Sequence, residues 1–191
     1  MFARLTMIAS GATQSTRKGC FPKDEAPEPS ALKRAGAMAS SLRRADRVWT
    51  SPALAARRTA EALGLDATVE PLLAEQDFGR WAGKGFEEVQ AEDPEGMAAW
   101  LSDPDAAPHG GESLAAVALR GAALMERLAG EGGHTIALTH AVPIRAAVVH
   151  VLGAPLSAVW KIDIEPLSHT EFRGDGHRWV LHASGVMAGA R

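Results

Sequence analysis

Only one cysteine, Cys20, occurs among the 191 residues. An intramolecular disulfide is therefore excluded, and no cysteine pair offers zinc-ligand spacing. Long apolar runs are also missing: nothing approaches the roughly eighteen consecutive apolar residues of a membrane span. Near the start, only Leu5 to Ile8 form a short apolar run, less than the core of a secretory leader. A reducing, cytoplasmic setting without membrane association is the expectation. Surplus charge is small, with 20 Lys+Arg against 23 Asp+Glu and a formal net charge of −3. That balance argues against a dedicated nucleic-acid binder, which needs a net basic face. Neither an internal repeat nor a domain-sized linker interrupts the chain, so one domain over 1–191 is expected. What is present is ordinary for a globular chain: 46% hydrophobic and 23% charged residues. A chain of this length buries roughly 70% of its unfolded surface, enough for a core without staples.

Elements alternate along the chain. Arg4–Ser10 (RLTMIAS) reads as a buried strand running into a turn at Gly11. Gln14–Pro29 is polar, proline-bearing and without period, which predicts a long loop. Ser30 opens a predicted helix to Ala45, with Leu32, Ala35, Ala39 and Leu42 on one face. Arg47–Thr50 is a short strand, and Ser51-Pro52 starts a helix that ends at Gly64. A strand near Ala67–Glu70 precedes a glycine-rich segment and short helices up to Leu101. Glu112–Ala129 is a long helix, His134–Thr139 a buried strand, and Pro143 lies early in a helix ending at Gly153. Trp160–Ile164, Ser168–Arg173 and Arg178–His182 read as closing strands, the last two joined by a Gly174–His177 hairpin turn. Repeated β-α-β units predict an α/β domain of three layers, with a mostly parallel sheet flanked by helices. Ligands in such sheets bind beyond the carboxyl ends of the strands. Ser10-Gly11, Thr50-Ser51 and Thr139-His140 all fall at such ends.

The same strand ends carry a resemblance to the histidine phosphatase (phosphoglycerate mutase-like) superfamily, at the size of its alpha-ribazole-phosphatase-like members. LTMIASGAT (5–13) resembles the family strand that ends in Arg-His-Gly-x-Thr. TSPALAARRTAEAL (50–63) resembles its Ser-Pro-Leu-x-Arg helix. LLAEQDFGRWAGKGFEEV (72–89) resembles the block with an acidic residue before an aromatic-Gly-x-Trp. PHGGESLAAV (108–117) and LTHAVPIRAAVVHVLG (138–153) resemble the Gly-Gly-Glu-Ser loop and the Ser-His-Gly-x-x-Ile-Arg unit. The resemblance implies a phosphoglycerate mutase-like fold and phosphoryl transfer through a phosphohistidine, with no cofactor and no metal. Arginines and a second histidine would surround the phosphate, and a carboxyl would protonate the leaving oxygen.

The chain departs from that pattern at its centre. Ser10 stands at the nucleophile position, Ala9 at the first phosphate arginine and Ala55 at the second. The carry-over keeps Thr13, Glu75 at the acid position, Glu112, Ser113 and His140. Losing one positioned donor costs about 10²–10³ in rate, and losing the nucleophile ends the covalent route. Phosphohistidine chemistry is therefore expected to be absent or severely impaired.

Candidate catalytic residues are Ser10, Glu75 and His140. Candidate ligand-binding residues are Gly11, Thr13, Arg17, Ser51, Arg58, Glu112 and Ser113. Arg17 follows the altered motif, and Arg58 is nearer in helical phase to Ala55 than Arg57 is; each also reads as a plain surface arginine. Ser10 reads first as a small residue filling the space of a histidine. The sharper reading is a nucleophile activated by His140, with Glu75 as orienter or acid; serine is shorter than histidine, so a direct Ser10–His140 hydrogen bond is not expected. His109, His134, His150, His169, His177 and His182 read as packing or surface residues without metal spacing. Trp81, Trp100, Trp160 and Trp179 read as core or lid packing. Gly110-Gly111 suits a tight turn, and Cys20 has no cationic neighbour to activate it.

Three functions stay open. One is a pocket that binds a small acidic or phosphorylated molecule without turnover. Another is a rearranged phosphomonoesterase or other hydrolase using Arg17, Glu75 and His140. The third is an interaction scaffold with an empty pocket.

Overall fold

The computed structural model describes residues 1–187. Strand β1 is Ala3–Ala9. Helices α1 (Gln14–Arg17) and α2 (Pro29–Met38) lead to β2 (Arg47–Thr50), followed by α3 (Leu54–Ala62) and β3 (Thr68–Val69). Next come α4 (Phe86–Glu92), α5 (Pro94–Ser102) and α6 (Leu114–Glu131). The chain closes with β4 (Gly133–Thr139), α7 (Ala141–Leu152), β5 (His169–Gly174) and β6 (Trp179–Val186). The sheet order is β3-β2-β4-β1-β5-β6. β3, β2, β4 and β1 pair in parallel, and β5 and β6 extend the sheet antiparallel. The expected α/β architecture with a mostly parallel sheet is present.

Alternation along the strands builds the layers. Leu5, Met7 and Ala9 of β1 and Ala137 of β4 pack with Leu124, Met125, Leu128, Ile144 and Val148 of α6 and α7. Ile8, Ile136 and Leu138 point to the other face, against Ala35 and Met38 of α2 and Ala56 and Ala60 of α3. This is the period-2 rule of a strand buried on both sides. A third cluster joins Phe21, Phe78, Trp81, Trp100 and Val159 at one end of the sheet.

Several boundaries differ from the sequence reading. α1 lies inside the expected loop, nucleated by a capping box between Thr13 and Thr16. α2 stops at Met38 and gives way to a 3₁₀ turn over Ala39–Ser41. α3 starts later than expected, because Ser51 accepts from the Ala53 amide and Asp24 from the Leu54 amide. The expected strand Trp160–Ile164 does not form: Trp160 and Lys161 end a 3₁₀ turn over Leu156–Lys161, and the next three residues are in no regular element. There Trp160 packs edge-on against Trp100, with ring centroids 4.6 Å apart. Its aromatic and β-branched composition serves packing rather than a ladder. α7 ends as expected, with Gly153 in the left-handed conformation at φ 61°. No helix among the described residues is long and apolar enough to cross a membrane.

Candidate active site

β1, β2 and β4 end together, and their backbones fix the residues that follow. The Ser10 amide donates to the Thr139 carbonyl (2.8 Å), the Ser51 amide to the Leu138 carbonyl (2.8 Å), and the Ala9 amide to the Ser168 carbonyl (3.0 Å). Leu167, at a left-handed φ of 68°, donates its amide to the Ala9 carbonyl (3.0 Å). Above these ends opens a cavity of about 780 Å³. Ala9, Ser10, Ala55, Glu75 and His140 line its floor.

His140 is the residue between β4 and α7, and it is buried. Its Nε2 lies 2.9 Å from Ser51 Oγ. Its Nδ1 lies 3.3 Å from Ser10 Oγ and 3.7 Å from Glu75 Oε2. The expectation that serine is too short to reach the imidazole is thereby corrected. β1 and β4 are in register with Ala9 opposite Thr139, so the next residues of each strand emerge side by side.

Burial dominates the electrostatics. It lowers the His140 pKa to about 4, and Arg120 pushes in the same direction. It raises the Glu75 carboxyl to about 7, overcoming the bond from the Gln76 amide and the attraction of Arg120 and Arg145. Over the range between those values the imidazole is neutral and the carboxyl protonated, so the 3.7 Å contact is not an ion pair. Two opposed linkages follow. Glu75 contributes stability that is full below its ordinary 4.5 and lost as the pH rises to about 7. His140 contributes stability that is full above its ordinary 6.5 and lost as the pH falls to about 4. The slopes oppose each other between 4.5 and 6.5. Glu75→Gln removes one of them. Its unfolding free energy should rise through that window and, at pH 8, exceed the parent's by about 3 kcal/mol. Urea titrations across pH measure this, and a variant less stable than the parent at pH 8 contradicts the buried, strained carboxylate.

The other candidates are placed as follows. Thr13 lines the cavity while its hydroxyl caps α1. Gly11 spends its amide on Thr59 Oγ1 (2.9 Å), and an added Cβ would press on Pro27 and Ala31 at 3.2 Å. Arg17 lines the cavity rim, but its Nε donates to Glu28 at 2.7 Å. Arg58 is corrected: it is 55% exposed, pairs with Glu61 one turn on, and is not among the cavity-lining residues. Glu112 and Ser113 are also outside the lining. Ser113 caps α6, accepting from the Ala116 amide. Glu112 accepts two bonds from Arg120, which also donates to the carbonyls of Leu72 and Glu75. Glu112 and Arg120 therefore support the Glu75 loop from behind.

Sequence reasoning missed Arg145. It lines the cavity near Glu75, and its buried Nε has no partner among the described residues. Its spacing from Ala141 (i, i+4 on α7) was the available signal, since Ala141 lies at the strand end and shares that helix face. Also missed was the apolar wall. Phe21, Phe78, Phe86, Trp100 and Trp160 all border the cavity and contact one another, with ring centroids 4.6–6.2 Å apart.

Comparison with known proteins agrees with this architecture. Proteins of Mycobacterium tuberculosis and Mycobacterium bovis, one described as bifunctional, are 36% identical over 121 residues, 61% of this chain. The matched stretch is 33% of their own length, so the chain spans about a third of those relatives. Phosphoserine phosphatase 1 of Hydrogenobacter thermophilus is 31% identical over 158 residues, covering 78% of this chain and 75% of that protein. The solved structure of a mycobacterial glucosyl-3-phosphoglycerate phosphatase with VO3 superposes with a TM-score of 0.84 at 26% identity, covering 96% of this chain and 99% of that one. The family model of the histidine phosphatase superfamily (branch 1) matches residues 11–186. With its phosphoglycerate mutase-like fold, the chain belongs to the histidine phosphatase superfamily.

Proposed function

We propose that the pocket binds a small molecule with an apolar body and one acidic or phosphorylated end, and that phosphohistidine chemistry is absent. The observation that carries this reading is the triplet Ala9, Ser10 and Ala55 on the cavity floor. A phosphoryl group there meets two methyl groups and a hydroxyl where the family resemblance implies two guanidiniums and an imidazole. Charge developing on a transferring phosphoryl group then lacks its positioned donors. His140 adds no positive charge at neutral pH, because burial holds it in the neutral form. The remaining cations on the lining are Arg17, Lys23 and Arg145, set around the floor rather than on it. Arg145 supports binding of a single acidic group, and the aromatic wall supports an apolar body.

The test is hydrolysis of p-nitrophenyl phosphate together with thermal shifts in phosphate and vanadate. The expected turnover is at least about 10³-fold below that of a relative with the full motif, with an anion-induced shift smaller than that relative shows. Turnover comparable to such a relative overturns the reading and supports the rearranged phosphomonoesterase using Arg17, Glu75 and His140.

A further inference from the structure

We propose that Ser10 is a nucleophile for acyl transfer, with His140 as its general base, acting on uncharged carboxylic esters seated against the aromatic wall. This rests on the pocket reading above for where the substrate sits, and adds a reaction to it. Three observations carry it. Ser10 Oγ stands 3.3 Å from His140 Nδ1, a distance typical of a dyad before substrate tightens it. The far nitrogen of the ring is engaged, with Nε2 2.9 Å from Ser51 Oγ. Ser51 Oγ in turn accepts from the Ala53 amide at 3.2 Å, so the third group is itself fixed. With the ring proton on Nε2 donated to Ser51, the Nδ1 lone pair faces the Ser10 hydroxyl at 3.3 Å, nearer than Glu75 Oε2 at 3.7 Å. That is nucleophile, base and orienter in line, the relation by which such dyads are recognised on unrelated folds. Finally, Ala141 and Val142 open α7 and are among the cavity-lining residues, and their amides have no acceptor among the described residues. They are donors for an oxyanion formed beside Ser10.

The step balances without a cofactor. Ser10 Oγ attacks the ester carbonyl and its proton passes to His140 Nδ1. The tetrahedral oxyanion collapses, the carbon–alkoxide bond breaks, and His140 returns the proton to the departing alcohol. Water then attacks the acyl-serine and gives a proton to His140; the acyl–Oγ bond breaks, His140 returns that proton to Ser10 Oγ, and the carboxylic acid leaves. An uncharged ester suits a floor without guanidiniums, and its apolar part suits Phe21, Phe78 and Trp100.

An alkyl fluorophosphonate tests the nucleophile directly, because it phosphonylates an activated serine with loss of fluoride. The full chain is treated and analysed by intact mass and peptide mapping. One adduct on Ser10 is expected, absent in Ser10→Ala and formed at least about tenfold more slowly in His140→Asn. Ser51→Ala should slow labelling and alter its pH profile, and Ser51→Thr, which keeps the hydroxyl, should restore both; a purely structural role would lower thermal stability without moving the pH profile. Hydrolysis of p-nitrophenyl butyrate should be lost in Ser10→Ala. No adduct on Ser10, or an adduct elsewhere with Ser10 untouched, overturns the proposal. Quenching of tryptophan fluorescence by a non-hydrolysable butyramide analogue separates the two readings. Quenching without Ser10 labelling leaves the pocket reading standing and removes only the nucleophile; Ser10 labelling without quenching does the reverse.

Discussion

Combining Ala9→Arg, Ser10→His and Ala55→Arg is expected to raise hydrolysis of aryl phosphates by at least about 10³-fold. All three positions border the same cavity of about 780 Å³; Ala9 and Ala55 are themselves buried, so the two arginines must turn out of the packed layers into that space. The flanking peptide groups are held independently: Ser10 by Thr139, and Ala9 by Ser168 and Leu167. The remaining machinery is in place. Glu75 is a carboxyl held near neutrality, suited to protonating a leaving oxygen, and His140 stands beside position 10. Two added guanidiniums would favour the ionised carboxylate, so the loss of rate on the alkaline side, as Glu75 gives up its proton, should set in below 7. Circular dichroism and vanadate binding establish that the triple variant folds and forms its anion site. A folded, vanadate-binding variant without gain in turnover overturns the assignment of Glu75 as the acid. A folded variant that does not bind vanadate overturns the assignment of positions 9 and 55.

The second large effect is on stability. Gly79→Ala should lower the unfolding free energy by about 3 kcal/mol or more. Two loops are laced together there, backbone to backbone. The Glu112 amide donates to the Asp77 carbonyl (2.8 Å) and the Arg80 amide to the His109 carbonyl (3.0 Å). The Gly111 amide donates to His109 Nδ1 (3.0 Å). A Cβ on Gly79 would lie 2.9 Å from the Gly111 nitrogen and closer still to the His109 carbonyl oxygen, at a φ of 45°. Neither obstacle is a flexible side chain, so the loops must part. Phe78 and Trp81, which flank the His109 ring, would move with them. Gly110→Ala is the control: its φ is 77°, but nothing lies within 4 Å. It should cost only about 1–2 kcal/mol for the left-handed conformation. Urea denaturation of both variants decides, and equal losses would contradict the close approach.

Much of this architecture was legible because local signals agreed with the global fold. RLTMIAS and HTIALT are short apolar runs bounded by turns, and both became central strands of a mostly parallel sheet. The convergence of Ser10, Ser51 and His140 followed from their common place at strand ends. Other features depend on facts no local pattern contains. The Ser10–His140 contact is set by the register of β1 on β4, which is a tertiary relation. Helical phase favoured Arg58 as a stand-in for a lost cation, but a glutamate three residues on holds it at the surface. Glu112 and Ser113 matched a family block and yet serve Arg120 and the α6 amides. Trp160 looked like strand because aromatics favour sheets, and was claimed instead by another tryptophan.

The floor of the cavity is a set of peptide groups clamped to one another, down to the left-handed Leu167 whose amide donates to the Ala9 carbonyl. Its shape is inherited through the main chain and hardly depends on which side chains hang from it. Chemistry and architecture are therefore held by different atoms of this chain. A different side chain at position 10 changes what the pocket can do to its ligand, while the peptide frame that presents it is fixed by other residues.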